Sequence, residues 1–117
     1  MTDKVKSCVS IQEGLDYRGL GGLVKRLIHP KTVGSANLGV SILFLNPGET
    51  VNKHSHPYEE AYFVLQGEGT MRLGDDTIKL HKYLSVYIPS DSTHGQMNTG
   101  CEPLIILCSL TPPPDVW

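Results

Sequence analysis

Three side chains suited to holding a metal, His54, His56 and Glu60, fall within one short segment framed by Gly48 and Gly67. Side chains on a β-strand alternate faces, so His54 and His56 are expected to point the same way, about 7 Å apart, with room for one ion between them. Pro57 lacks an N–H and is expected to end that strand. Glu60, back in phase at the head of the next apolar run, can then return a carboxylate to the same cavity. Glu59 is the adjacent alternative; phase favours Glu60 and leaves Glu59 at the surface or the mouth. A fourth ligand is offered by His94, where the polar turn Pro89-Ser90-Asp91-Ser92-Thr93 leads into another short strand. Imidazole with carboxylate suits one divalent transition metal per chain, and manganese, iron, nickel, cobalt and zinc all remain open.

These spacings resemble the sequence motifs of the cupin superfamily. Gly48, five residues, His54-x-His56, three residues, Glu60, six residues and Gly67 reproduce every fixed position of the first motif. Pro89, His94 and Asn98 fall in register with the second, whereas Tyr83 and Asp91 stand where the family usually has glycine. Both departures lie in turns, and Asp tolerates a left-handed backbone much better than Tyr does. The resemblance spans roughly residues 36–110. It implies an all-β fold, the small single-domain double-stranded β-helix or jelly-roll barrel of that superfamily. It also implies His54, His56, Glu60 and His94 as the metal ligands, metal-dependent chemistry on small molecules, and a homodimer.

The rest of the chain agrees with such a barrel. Short β-branched or aromatic runs are predicted as strands over 23–29, 39–45, 61–65, 70–73, 77–80, 84–88, 95–97 and 104–110. Between them Pro47-Gly48, Gly67-Glu68-Gly69, Gly74-Asp75-Asp76 and Asn98-Thr99-Gly100 supply turns. No long stretch holds a helical period. Residues 1–35 are expected to add an edge strand around Val24–Ile28 and a loop through Gly19, Gly21 and Gly22. The edge would be buried by pairing with a second copy. The tail of 111–117, with its run Pro112-Pro113-Pro114, is expected to run off extended.

Composition bounds the partners. At 117 residues the chain has room for one core. Ten basic against 12 acidic residues, with no basic block, offer nothing to a phosphate backbone or an anionic membrane. No apolar run approaches the ~20 residues that span a bilayer. The three cysteines, Cys8, Cys101 and Cys108, lack paired spacing, and the first ten residues lack the apolar stretch of a signal peptide. A soluble cytoplasmic protein with a small-molecule ligand is expected, with neither nucleic acid nor membrane as partner.

Strand parity nominates the pocket. If Glu60 points inward, so do Tyr62 and Val64; if His94 does, so do Gln96 and Asn98; Asn52 shares the face of His54. Tyr62 and Gln96 are the candidate catalytic pair, a proton donor and an oxyanion-holding amide. Asn52, Tyr62, Gln96 and Asn98 are the candidate substrate contacts. Ile42, Phe44, Met71, Leu73 and Ile106 are the expected lining, subject to any one-residue bulge. Arg26, on the same strand face as Val24 and Ile28, can clamp a carboxylate or simply snorkel. His29 and His81 read as solvated residues and Cys108 as core packing. Three imidazoles and a carboxylate leave two adjacent positions on a six-coordinate ion, which suits a small sugar or oxygenated organic acid. Lewis-acid isomerisation, elimination or decarboxylation is the leading reaction class. The resemblance also implies iron or manganese dioxygenases and non-catalytic sensing or binding modules.

Overall fold

A computed structural model describes residues 6–113. Its strands are β1 (Leu15–Tyr17), β2 (Leu23–Ile28), β3 (Gly39–Leu45), β4 (Thr50–His54), β5 (Glu59–Gln66), β6 (Gly69–Leu73), β7 (Asp76–Leu80), β8 (Ser85–Ile88), β9 (His94–Asn98) and β10 (Leu104–Thr111). One 3-10 turn (Ile11–Glu13) and one helix, α1 (Pro30–Val33), are added near the N-terminus. Two antiparallel sheets face each other as a jelly roll. One runs β1-β2-β3-β10-β5-β8 and the other β4-β9-β6-β7.

Each predicted strand is present, with its ends within two residues of those read. β1, the 3-10 turn and α1 were not read from the sequence, being three or four residues each, too short for any period to show. Their signals are local: Ser10 and Glu13 form a capping box around the 3-10 turn, and His29 caps α1 ahead of Pro30.

The edge expected at Val24–Ile28 is a correction. Val24 and Arg26 pair with β1 on one side and β3 on the other, so β2 is interior and β1 holds the edge. A three-residue strand of mixed polarity carries too little pattern to announce itself. The C-terminal tail also departs from expectation. β10 reaches Thr111, and Pro113 is buried over Gly39 instead of running off. Residues from Pro114 on, and residues 1–5 of the segment read for a signal peptide, lie outside the described residues.

The core forms between the sheets from Val24, Leu43, Leu45, Val51, Val64, Met71, Leu80, Ile88, Leu104 and Ile106, with Tyr62 and Cys108 among them. Cross-strand register aligns the inner face in rows. Arg26 lies opposite Ser41, Ser41 opposite Cys108, and Cys108 opposite Tyr62. One step along, Leu110 lies opposite Glu60. On the facing sheet Val51 lies opposite Gln96 and Gln96 opposite Met71. Gly67, at the end of the first motif, has φ +91, and a Cβ there would sit 2.7 Å from the carbonyl oxygen of Pro103. Only glycine meets both demands. Tyr83 and Asp91, where the resemblance led us to look for glycine, also take positive φ, at 72° and 64°. The turns therefore keep the conformation that glycine would favour.

Candidate metal centre

His54 is the last residue of β4 and His94 the first of β9, and the two are register partners. His56 is not on the strand: β4 stops at His54, and His56 follows in the connection to β5. The expectation that His54 and His56 share one strand face is thus replaced by a turn that brings the second ring alongside the first. Ring centroids are 4.4 Å apart for His54–His94, 4.9 Å for His56–His94 and 5.7 Å for His54–His56. One nitrogen from each ring falls in a cluster whose members all lie within 4.8 Å of one another. His94 is fully buried and His56 nearly so, while His54 is half-buried at the mouth.

Backbone carbonyls fix the tautomers. Nδ1 of His54 lies 2.8 Å from the oxygen of Asn52, Nδ1 of His94 lies 2.8 Å from that of Ser92, and Nδ1 of His56 lies 3.0 Å from that of Tyr58. A carbonyl only accepts, so each Nδ1 carries the proton and donates it. Each neutral ring then has its lone pair on Nε2, the arrangement that ligating imidazoles use. Tyr58 also stacks on His56, with centroids 4.1 Å apart and planes within 8°.

Glu60, 6 % exposed, enters from the opposite sheet. Its Oε1 is 3.0 Å from Nε2 of His56 and 3.5 Å from Nε2 of His94. Burial alone would raise its pKa, but the hydrogen bond from His56 and the nearby imidazole of His94 outweigh burial and hold the carboxyl below the ordinary 4.5. Burial alone would lower His56, yet the hydrogen bond and charge of Glu60 carry it above 6.5. Burial dominates at His54 and lowers it. Nε2 of His94 is buried and makes no hydrogen bond in the structure. An orphaned nitrogen beside two other imidazoles and an ionised carboxylate fits a divalent cation, because the ion supplies the missing partner.

Beside the triad is a cavity of about 20 Å³ lined by Leu20, Val24, Ser41, Leu43, Val51, His54, Glu60, Tyr62, Cys108 and Leu110. That is room for about one water-sized group. Leu20 reaches it from a loop that crosses β4 closely: the Asn52 amide donates to the Leu20 carbonyl at 3.2 Å, and Gly21 (φ +116) leaves no space for a Cβ against the Thr50 carbonyl.

Tyr62 and Gln96 come together as expected, both buried, with the Gln96 amide donating to the Tyr62 hydroxyl at 3.1 Å. Oε1 of Gln96 is a second buried polar atom without a hydrogen bond. Burial, with the charge of Glu60, holds the Tyr62 phenol well above its usual pKa.

Other expectations are corrected. A bulge between Val51 and His54 turns Asn52 outward, so it is exposed and does not share the face of His54. Asn98 is buried, but its side chain is spent on the chain itself: Nδ2 donates to the carbonyls of Leu45 and Glu102, each at 2.8 Å, and Oδ1 accepts from the Gly100 amide at 2.9 Å. On β3 the inward residues are Ser41 and Leu43, so Ile42 and Phe44 lie on the other face; the unbroken apolar run Ile42–Leu45 has no polar beat to set its phase. Met71 and Ile106 face inward but are fully buried in the core away from the cavity, and Leu73 is only half-buried. His29 is buried rather than solvated, its Nδ1 accepting from the Lys31 amide at the start of α1, and His81 is exposed; neither joins the triad. Cys108 is core, as read, and also lines the cavity. Tyr58 went unnoticed in the sequence, where nothing but its place two residues after His56 marks it.

The Cupin domain family matches residues 41–110. Polyketide synthase CurC of Streptomyces cyaneus is 30% identical over 105 residues, covering 89% of this chain and 68% of that protein. A predicted oxalate decarboxylase from Thermotoga maritima superposes with a TM-score of 0.77 at 22% identity, covering 92% of this chain and 100% of the other. An RmlC-like cupin from Shewanella frigidimarina superposes with a TM-score of 0.80 at 15% identity, covering 94% of each chain. Among the described residues no helix is long and apolar enough to cross a membrane.

Proposed function

The chain belongs to the cupin domain family, and from that membership and its histidine triad we propose that it is a metal-dependent enzyme acting on a small oxygenated organic acid or sugar. The observation that carries this reading is the set of three imidazoles whose Nδ1 atoms are tied to backbone carbonyls and whose ligand nitrogens lie within 4.8 Å of one another. His54, His56 and His94 would hold the ion, and Glu60 would complete the set. When bound, the ion supplies Lewis acidity, polarising a chelating carbonyl or hydroxyl.

The chain's own residues supply the rest. Tyr62 keeps its proton, because its phenol is held well above the usual pKa. It is therefore suited to donating a hydrogen bond to oxygen on which negative charge develops. Gln96 donates to the phenolic oxygen and so orients that O–H. Leu20, Val24, Leu43, Val51 and Leu110 keep bulk water away from the reacting group. This combination favours isomerisation, elimination or decarboxylation through an enolate. The small cavity admits the chelating end of a ligand while the remainder lies toward the half-buried His54. The likeness to a protein named a polyketide synthase adds 1,3-dicarbonyl compounds, which also chelate, to the candidates.

The test is turnover of metal-free protein refilled with zinc, nickel, manganese or iron, with and without oxygen, on hydroxy acids, keto acids, uronates, sugars and 1,3-diketones. Activity with zinc or nickel in the absence of oxygen is expected. Activity confined to iron and oxygen would make the protein a dioxygenase, and binding without turnover under every metal would make it a binding module. We also propose a homodimer. Its support is no longer an edge at β2 but the outer face of the six-stranded sheet, where Phe63 and Tyr87 are exposed. Light scattering decides it, and a monomeric mass at micromolar concentration removes it.

A further inference from the structure

The three imidazoles are not held alike. His54 and His94 sit on paired strands, so the sheet ladder fixes their backbones, and each ties its Nδ1 to the carbonyl two residues earlier. His56 lies in the connection between β4 and β5, outside any ladder. Its own carbonyl accepts from the Asp91 amide at 2.7 Å, which anchors the main chain but not the ring. The ring is held from the other direction, by the residue two positions later. The Tyr58 carbonyl lies 3.0 Å from Nδ1, and the Tyr58 ring stacks on the imidazole at 4.1 Å with planes within 8°. Pro57 joins the two: its ring fixes its own φ and pushes His56 toward extended backbone, so little internal freedom is left between the stacked residues.

The two contacts restrain different motions. A hydrogen bond at Nδ1 lets an imidazole pivot about the N–H···O axis, whereas a parallel stack stops that pivot and lets the ring turn only in its own plane. Together they leave one orientation. In it Nε2 lies 3.0 Å from Oε1 of Glu60, and the ring centroid is 4.9 Å from that of His94. The stacking face is itself supported, since Tyr58 is half-buried and packs against the core. We propose that Tyr58 is a positioning residue of the metal centre: its aromatic ring, in addition to its carbonyl, keeps the His56 imidazole in the orientation that ligates. The inference rests on the metal-centre reading and concerns the one ligand that no strand holds.

The experiment is titration of metal-free protein with cobalt(II), whose visible absorption reports the number and arrangement of its ligands, beside nitrogen NMR of the histidine rings before metal is added. Tyr58→Leu keeps the carbonyl and an apolar side chain and removes the ring face. Tyr58→Phe keeps the ring and removes only the hydroxyl. Tyr58→Leu is expected to weaken cobalt binding about 10-fold or more, the scale of losing a partner of a ligating imidazole, and to change the absorption of the bound ion. In metal-free protein it should also lose the resonance of the His56 Nδ1–H, which burial and the Tyr58 carbonyl protect from exchange with water in the unaltered protein. Tyr58→Phe should keep affinity, absorption and ring resonance as they are in the unaltered protein; Tyr58→Met takes the place of Tyr58→Leu if that variant does not fold. Cobalt affinity and absorption untouched by Tyr58→Leu, or a loss in Tyr58→Phe equal to that in Tyr58→Leu, overturns the proposal. No cobalt binding by the unaltered protein sinks the metal reading and this role with it, whereas binding that ignores the ring of Tyr58 sinks the role alone.

Discussion

His54 and His94 are forty positions apart in the chain and directly opposite one another in the sheet, with ring centroids 4.4 Å apart. Their pairing across β4 and β9 places two of the three imidazoles, and the connection after β4 swings the third, His56, against them. Because each ring is already pinned through Nδ1, binding an ion needs little reorganisation of the site.

Zinc is expected to bind metal-free protein at one ion per chain. His54→Ala, His56→Ala and His94→Ala should each weaken it by about 100-fold or more, since each removes a nitrogen that no neighbour replaces. Glu60→Gln should cost about 10- to 100-fold, the range for a group that holds or orients a ligand. Calorimetry measures both, and undiminished binding by His94→Ala would remove that ring from the site.

Tyr62→Phe is expected to lower turnover about 10²–10³-fold, the effect of losing one hydrogen-bond donor to an oxyanion, with zinc affinity unchanged. An unaltered rate in steady-state kinetics would take Tyr62 out of the mechanism.

Asn98→Ala should destabilise the fold by about 3 kcal/mol, because it strands the carbonyls of Leu45 and Glu102 and the Gly100 amide together. Ligand affinity should stay as it was. Chemical denaturation read beside calorimetry separates the two roles, and a loss of ligand affinity with unchanged stability would return Asn98 to the substrate contacts.

The pH dependence of the metal-free protein follows from Glu60 and His56. His56 is raised above 6.5, so its contribution is full below 6.5 and is lost as pH rises through the folded value. Glu60 is lowered below 4.5, so its contribution is present above 4.5 and lost as pH falls through its folded value. The Tm advantage of the unaltered protein over Glu60→Gln should therefore be largest between pH 4.5 and 6.5 and shrink above it. A difference that stays constant up to pH 9 would show that the pair does not titrate in this way.

At Tyr83 the backbone has φ 72° on an exposed residue with a Cβ. Left-handed geometry costs such a residue about 1–2 kcal/mol, and glycine returns about 0.5–1 kcal/mol of that through its looser unfolded chain. Tyr83→Gly is expected to stabilise by about 0.5–1 kcal/mol in urea denaturation, and Asp91→Gly by less. Destabilisation by Tyr83→Gly would mean that the stacking of Tyr83 on Phe63, at 6.2 Å between centroids, outweighs the strain.

The sequence by itself determined the fold class, most of the strand positions and the residues that meet at the centre. Those features are carried by local chemistry: turn residues at fixed offsets, β-branched runs between them, and imidazoles at a spacing that little else explains. Inward phase was legible wherever polar and apolar residues alternate, as from Glu60 to Val64 and at His94, Gln96 and Asn98. It was not legible on β3, where apolar side chains cover both faces, nor at Asn52, which a bulge turned outward. Tertiary structure alone decided that β2 is interior, that Asn98 serves a turn, that Tyr58 lies on His56, and that Arg26 stands in a row with Ser41, Cys108 and Tyr62. Each depends on register between strands distant in sequence. Register is fixed by the mutual packing of two sheets, which no single strand encodes.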